Sequence, residues 1–111
     1  MNKNIKIAAV ILLFSSLIHL AYPFLYHVPE ATRPVAIFGV IYLIISLGLL
    51  LSNKMAFLYA AAIFTTIGMI AATVVYIGNE SPFDLDIALI IIDIIIVPIF
   101  WWSIIKKKQI A

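Results

Sequence analysis

The chain has 111 residues, of which 66% are hydrophobic and 11% charged, and a formal net charge of +2. A soluble domain is about a quarter charged. A shortfall spread along the whole chain, with a mean hydropathy of +1.23, excludes an ordinary soluble fold and predicts a single membrane domain over residues 1–111. There is no cysteine, which excludes disulfides, CxxC redox chemistry, thiolate metal sites and cysteine nucleophiles together.

The chain opens with the basic Lys3 and Lys6, and from Ile7 to Leu20 is apolar apart from Ser15, Ser16 and His19. A cleaved leader is not expected, because a cut after Ala21 would put His19 where a small residue is needed. This stretch therefore reads as the first spanning helix, about residues 5–25. Residues 26–33 read as a loop carrying Pro29, with Pro34 at the first turn of the next helix, where its missing N–H costs nothing. The second helix is expected over about 34–51, near the short end of the spanning range. Ser52-Asn53-Lys54 is a tight polar turn, so the second and third helices should form an antiparallel hairpin.

The third helix is expected over about 55–77, closed by Gly78 ahead of Asn79 and Glu80. The fourth, about 82–105, begins with an N-cap signal: Ser81 as the cap, Pro82 at the first helical position and Asp84 in the first turn. It ends at Lys106, Lys107 and Lys108. The predicted fold is all-α: a polytopic membrane protein built as an antiparallel four-transmembrane-helix bundle.

Four spans place Lys3, Lys6, Lys54 and Lys106–Lys108 on one side and Arg33 alone on the other. That bias predicts cytoplasmic termini, in the cytoplasmic membrane of a prokaryote. Trp101 and Trp102 then fit an inner aromatic belt, and Tyr22, Tyr26 and Tyr76 an outer one. The basic residues are topology signals, and nucleic acid is not an expected partner.

Polar residues within the spans recur at helical spacing. Ser15, Ser16, His19 and Tyr22 share a face of the first helix, and Gly39, Tyr42 and Ser46 a face of the second. Tyr59, Thr66 and Thr73 repeat at seven in the third, beside Ala62, Met69 and Tyr76. Asp86 and Asp93 are seven apart in the fourth. One such stripe per helix predicts a shared seam. The serines, threonines and glycines, including the pair Gly68 and Ala72, read as packing residues.

Asp93 differs from these. A carboxylate in mid-membrane costs about 2.5–3.5 kcal/mol on the insertion scale and needs a partner or a proton. The expected cluster is Asp93, His19 and Tyr42, with Arg33 and Thr73 as outer members. Its functional reading is proton or cation handling. Its bland reading is a neutral acid bonding a neighbouring helix or the Ile94 carbonyl, which Pro98 deprives of its usual donor. His19 alone reads more readily as a core hydrogen-bonding residue, and His27 as interfacial.

The chain lacks a Glu-x-x-His pair, HExxH, a P-loop and GxSxG. It has two histidines, too few for a desaturase-type site and badly placed for haem across a bundle. The length and four-span layout resemble those of small multidrug resistance exporters, but the essential glutamate of that family's first helix has no counterpart here and its other motifs are not visible, so membership in it is not claimed. No cofactor or metal is expected, and no self-contained enzyme activity. Two readings follow. The first is an accessory or structural subunit, packed against other membrane subunits or copies of itself. The second is a small proton- or cation-coupled transporter using Asp93.

Overall fold

The computed structural model describes residues 3–26, 29–52, 54–78 and 85–110, with the side chains of 29–31, 75, 76, 85, 86 and 107–110 excepted. These residues form four helices: α1 (Lys3–Leu25), α2 (Pro29–Leu51), α3 (Met55–Ile77) and α4 (Leu85–Ile110). All four are long and apolar enough to cross a membrane. At 1.5 Å per residue, the 23 residues of α1, α2 and α3 each span about 34 Å.

The helices run alternately up and down, and each packs on its neighbours in the ring α1–α2–α3–α4–α1. Both ends of the described chain therefore lie at one end of the bundle, with Lys3, Lys6, Lys54 and Lys106. The outward faces carry Phe14, Leu17, Ile37, Ile44, Ile63, Ile70, Ile91 and Ile94, all exposed. An apolar belt of this extent is matched by lipid and would be a liability in water.

Two helices differ from the sequence expectation at their ends. α2 starts at Pro29, five residues before the expected start at Pro34. Pro29 takes the first-turn role instead, and Pro34 gives up one backbone bond within a helix that continues through it. α4 continues past residue 105 to Ile110. Lysine is a good helix former, so nothing in the basic tail stops the helix at the membrane edge.

Backbone and side-chain groups close the ends. The Gly78 N–H bonds the Val74 carbonyl, 3.0 Å, where α3 stops. The Ser52 hydroxyl accepts from the Lys54 N–H, 3.2 Å, in the turn before α3. The Lys6 ammonium donates to the carbonyls of Leu49 and Leu50, at 2.7 and 3.1 Å. A cation there satisfies orphan carbonyls at the α2 C-terminus and meets the negative end of its dipole. The proposed cap at Ser81, Pro82 and Asp84, together with Asn53, Asn79, Glu80 and His27, lies outside the described residues.

The core is chemically divided along its length. Towards the lysine end it is apolar: Ile5, Ala8, Ala9 and Leu12 of α1 meet Ile45 and Leu49 of α2, Leu58, Ala61 and Ala62 of α3, and Ile96, Phe100 and Ile104 of α4. Towards the other end the buried residues include His19, Tyr22, Thr32, Tyr42 and Asp93. Tyr22 and Leu89 form a small separate cluster there.

The polar stripes expected on α1 and α2 face the core: Ser15, Ser16, His19, Tyr22, Gly39, Tyr42 and Ser46 are all buried. On α3 Ala62 of the expected stripe is buried, but together with Leu58, Ala61 and Thr65, while Tyr59 is 37% exposed and Thr66 and Thr73 are half-buried. The seven-residue repeat of Tyr59, Thr66 and Thr73 is thus rotated off the seam. On α4 Asp93 is buried, and the side chains of Asp86 and Tyr76 lie outside the described residues.

Candidate functional site

Most buried hydroxyls turn back on their own helix. Ser16 donates to the Leu13 carbonyl at 2.6 Å, Ser46 to Leu43 at 3.0 Å and Ser103 to Ile99 at 2.7 Å. Thr65 donates to the carbonyl of Ala61 and Thr66 to that of Ala62, at 2.5 and 2.7 Å. Such bonds satisfy the hydroxyl proton locally and leave no donor for a neighbouring helix. These side chains are packing residues, as their small size predicts.

Tyr42 behaves differently. Its ring is fully buried, and its hydroxyl crosses to α3 and donates to the Phe64 carbonyl at 3.1 Å. Gly68 makes the crossing fit, because a Cβ there would overlap the Tyr42 oxygen. Phe38 lies against the tyrosine one turn away, with ring centroids 5.7 Å apart at 63°.

His19 meets Tyr42 edge-on, with centroids 5.1 Å apart and planes at 82°. Gly39 permits this approach between α1 and α2, since a Cβ at Gly39 would come within 2.9 Å of the His19 Cβ. The His19 Nδ1 lies 2.6 Å from the Ser15 carbonyl oxygen. A carbonyl only accepts, so Nδ1 is the donor and carries hydrogen, which fixes the neutral ring as the Nδ1–H tautomer with its lone pair on Nε2. Tyr22 stacks on His19 at 6.4 Å and 19°, and Tyr26 follows at 5.3 Å and 62° from Tyr22. Rings of α1 and α2 thus continue one another from Tyr26, near the end away from the lysines, to Tyr42.

Asp93 of α4 is 3% exposed, and its Oδ1 has no hydrogen-bond partner. Its carboxyl is close enough to act electrostatically on the Tyr42 hydroxyl. Ile94 and Pro98 face outward on the same helix, away from the buried face that carries Asp93. A bare carboxylate so placed is costly and needs a partner or a proton.

Of the residues singled out by sequence, His19 and Tyr42 are in direct ring contact and Asp93 lies within electrostatic reach of Tyr42. Arg33 is exposed and Thr73 half-buried; among the described residues no hydrogen bond joins either to the other three. The Ser15 carbonyl, the Phe64 carbonyl and Phe38 are additional parts of the site. Backbone acceptors leave no trace in composition or spacing. Gly68 was visible as half of a small-residue pair, but its service to Tyr42 was not. Among the described residues, no three His, Asp or Glu converge as metal ligands would.

Comparison of the chain with protein families, curated protein sequences and solved structures gave no match. The reading of the site therefore rests on its own geometry.

Proposed function

We propose that the protein is a small ion-handling membrane protein in which Asp93 takes up a proton or small cation inside the bundle, near Tyr42, whose ring His19 meets. One observation carries this: Asp93 is almost wholly buried, yet its Oδ1 has no hydrogen-bond partner. An acid retained to tie helices together would spend its oxygens on neighbouring donors. The Tyr42 hydroxyl gives its proton to Phe64 and so has none for Asp93. On this reading an exchangeable ion balances the acid. The lysine-rich end is assigned to the cytoplasmic side of a prokaryotic plasma membrane on charge bias alone.

The test is exchange at the carboxyl. The carboxyl infrared band of protein reconstituted in liposomes is followed as the pH is changed, then as sodium or potassium is added, and compared with Asp93→Asn. The expected result is a band that responds to pH or to one of these cations in the wild type and is missing from a variant that still folds. A band that responds to none of them contradicts the proposal.

A second reading is supported by the lysine half of the core. Fully buried apolar side chains, among them Leu12, Leu49, Leu58, Ile96 and Phe100, fill the axis there. Among the described residues one bundle alone offers no continuous polar path, so a full crossing would run beside another subunit or a second copy. On this reading the chain is an accessory or structural subunit of a larger membrane complex or homo-oligomer. Gentle extraction from the native membrane separates the cases: co-purifying subunits or a stable oligomer support it, and a lone monomer counts against it. In neither reading does the chain catalyse a reaction by itself.

A further inference from the structure

We infer that the Asp93 site is reached from one end only: the end away from the lysines, along Tyr26, Tyr22, His19 and Tyr42. The inference rests on the ion-handling reading and adds the direction of access.

Three independent features point the same way. Asp93 stands eight residues, about 12 Å, from the start of α4 at Leu85. The buried residues on that side of the bundle include an imidazole, two phenols and the Thr32 hydroxyl, with Leu89 beside them. A proton or small cation moving through a low-dielectric interior needs polar partners along its path.

Towards the lysines the lining is the opposite. From Asp93 to Ile104 is eleven residues, about 16 Å, and the inward positions Ile96, Phe100 and Ile104 are apolar. They close against Leu12 of α1, Leu49 of α2 and Leu58 of α3 in the same cluster. Ser46 and Ser103 are buried in this half, but each donates to its own helix. Dry apolar packing of this kind excludes water and presents no ligand to an ion.

The third feature is the packing of α3. Its buried residues are Leu58, Ala61, Ala62 and Thr65; beyond Thr65, towards the end away from the lysines, every described side chain on α3 is half-buried or exposed. The bundle is therefore closed by all four helices in its lysine half and less tightly by α3 in the other.

The absence of native cysteine makes the test direct. Single variants Leu89→Cys and Asp93→Cys report the proposed access side; Leu12→Cys and Ile96→Cys report the apolar half. Each is treated with a small, membrane-impermeant thiosulfonate in right-side-out and in inverted membrane vesicles. The expected pattern is labelling of Leu89→Cys and Asp93→Cys only when the reagent meets the face away from the lysines, and loss of labelling at Leu12→Cys and Ile96→Cys from both faces. Labelling of Asp93→Cys from the lysine face, labelling in the apolar half from that face, or no labelling of either access position from the far face overturns the inference.

Leu89→Cys keeps the acid, so it stands if Asp93→Cys disturbs the fold. Because the assay does not require ion uptake, the expected labelling together with an Asp93 carboxyl band that ignores pH and both cations would sink the ion-handling reading alone. A responsive band with labelling from the lysine face would sink the direction alone.

Discussion

The hydroxyl of Tyr42 in α2 occupies the space that a side chain at Gly68 in α3 would fill. From there it donates to the Phe64 carbonyl. This one contact joins the packing of α2 on α3 to the wall of the candidate site, and it gives the first prediction. Gly68→Ala should displace the hydroxyl and break the bond, destabilising the bundle by about 1–3 kcal/mol as overpacking does. Tyr42→Phe should cost about 1 kcal/mol through the lost hydrogen bond. The double variant should be no less stable than Tyr42→Phe alone, because the clashing oxygen is gone. Unfolding in mixed lipid–detergent micelles measures all three, and full additivity would show that the two residues do not meet.

Lys6 offers a second check. Its ammonium bonds the carbonyls of Leu49 and Leu50 at the end of α2. Lys6→Met keeps the aliphatic stem and removes the charge. The expected loss is about 0.3–1 kcal/mol, the usual scale for a cation at a helix C-terminus. Raising the salt concentration should shrink the difference, since the interaction is electrostatic and only partly buried. A difference that ignores salt would point to packing of the stem instead.

The face of α3 shows where sequence reading stopped. On α1 and α2, small residues and aromatics alternate with large aliphatics, so the inward face stands out. α3 is apolar nearly all round, and the spacing of Tyr59, Thr66 and Thr73 marks a face other than the buried one. Thr66 satisfies its proton on the Ala62 carbonyl, so its polarity demands no particular neighbour. Tyr59 has a polar tip and an apolar body and is at ease partly exposed near the lysine end. The true face is set by Ala61 and Ala62, whose small size lets α3 approach. Asp93 was legible because a buried acid is costly wherever it points. The arrangement around it was not, since it depends on backbone carbonyls and on which glycine meets which ring.

Trp101 provides a third prediction at the edge of α3. Its indole N–H donates to the Thr66 hydroxyl at 2.8 Å, which ties α4 to α3 on a side partly open to lipid. Hydrogen bonds between membrane helices average about 0.6 kcal/mol in mutant cycles. A cycle of Trp101→Phe and Thr66→Val should return a coupling of about that size, again from unfolding in mixed micelles. Zero coupling would remove this bond from the account.

The central claim is that Asp93 is kept for exchange with an ion and not to hold the helices together. The stability of Asp93→Leu tests it most directly. Leucine removes an acid whose Oδ1 has no partner and puts an apolar side chain of similar bulk in its place. If the claim is right, the variant should unfold in mixed micelles at equal or higher stability than wild type, by up to about 3 kcal/mol on the insertion scale. A variant several kcal/mol less stable, or one that no longer assembles, would make Asp93 a structural acid and contradict the account.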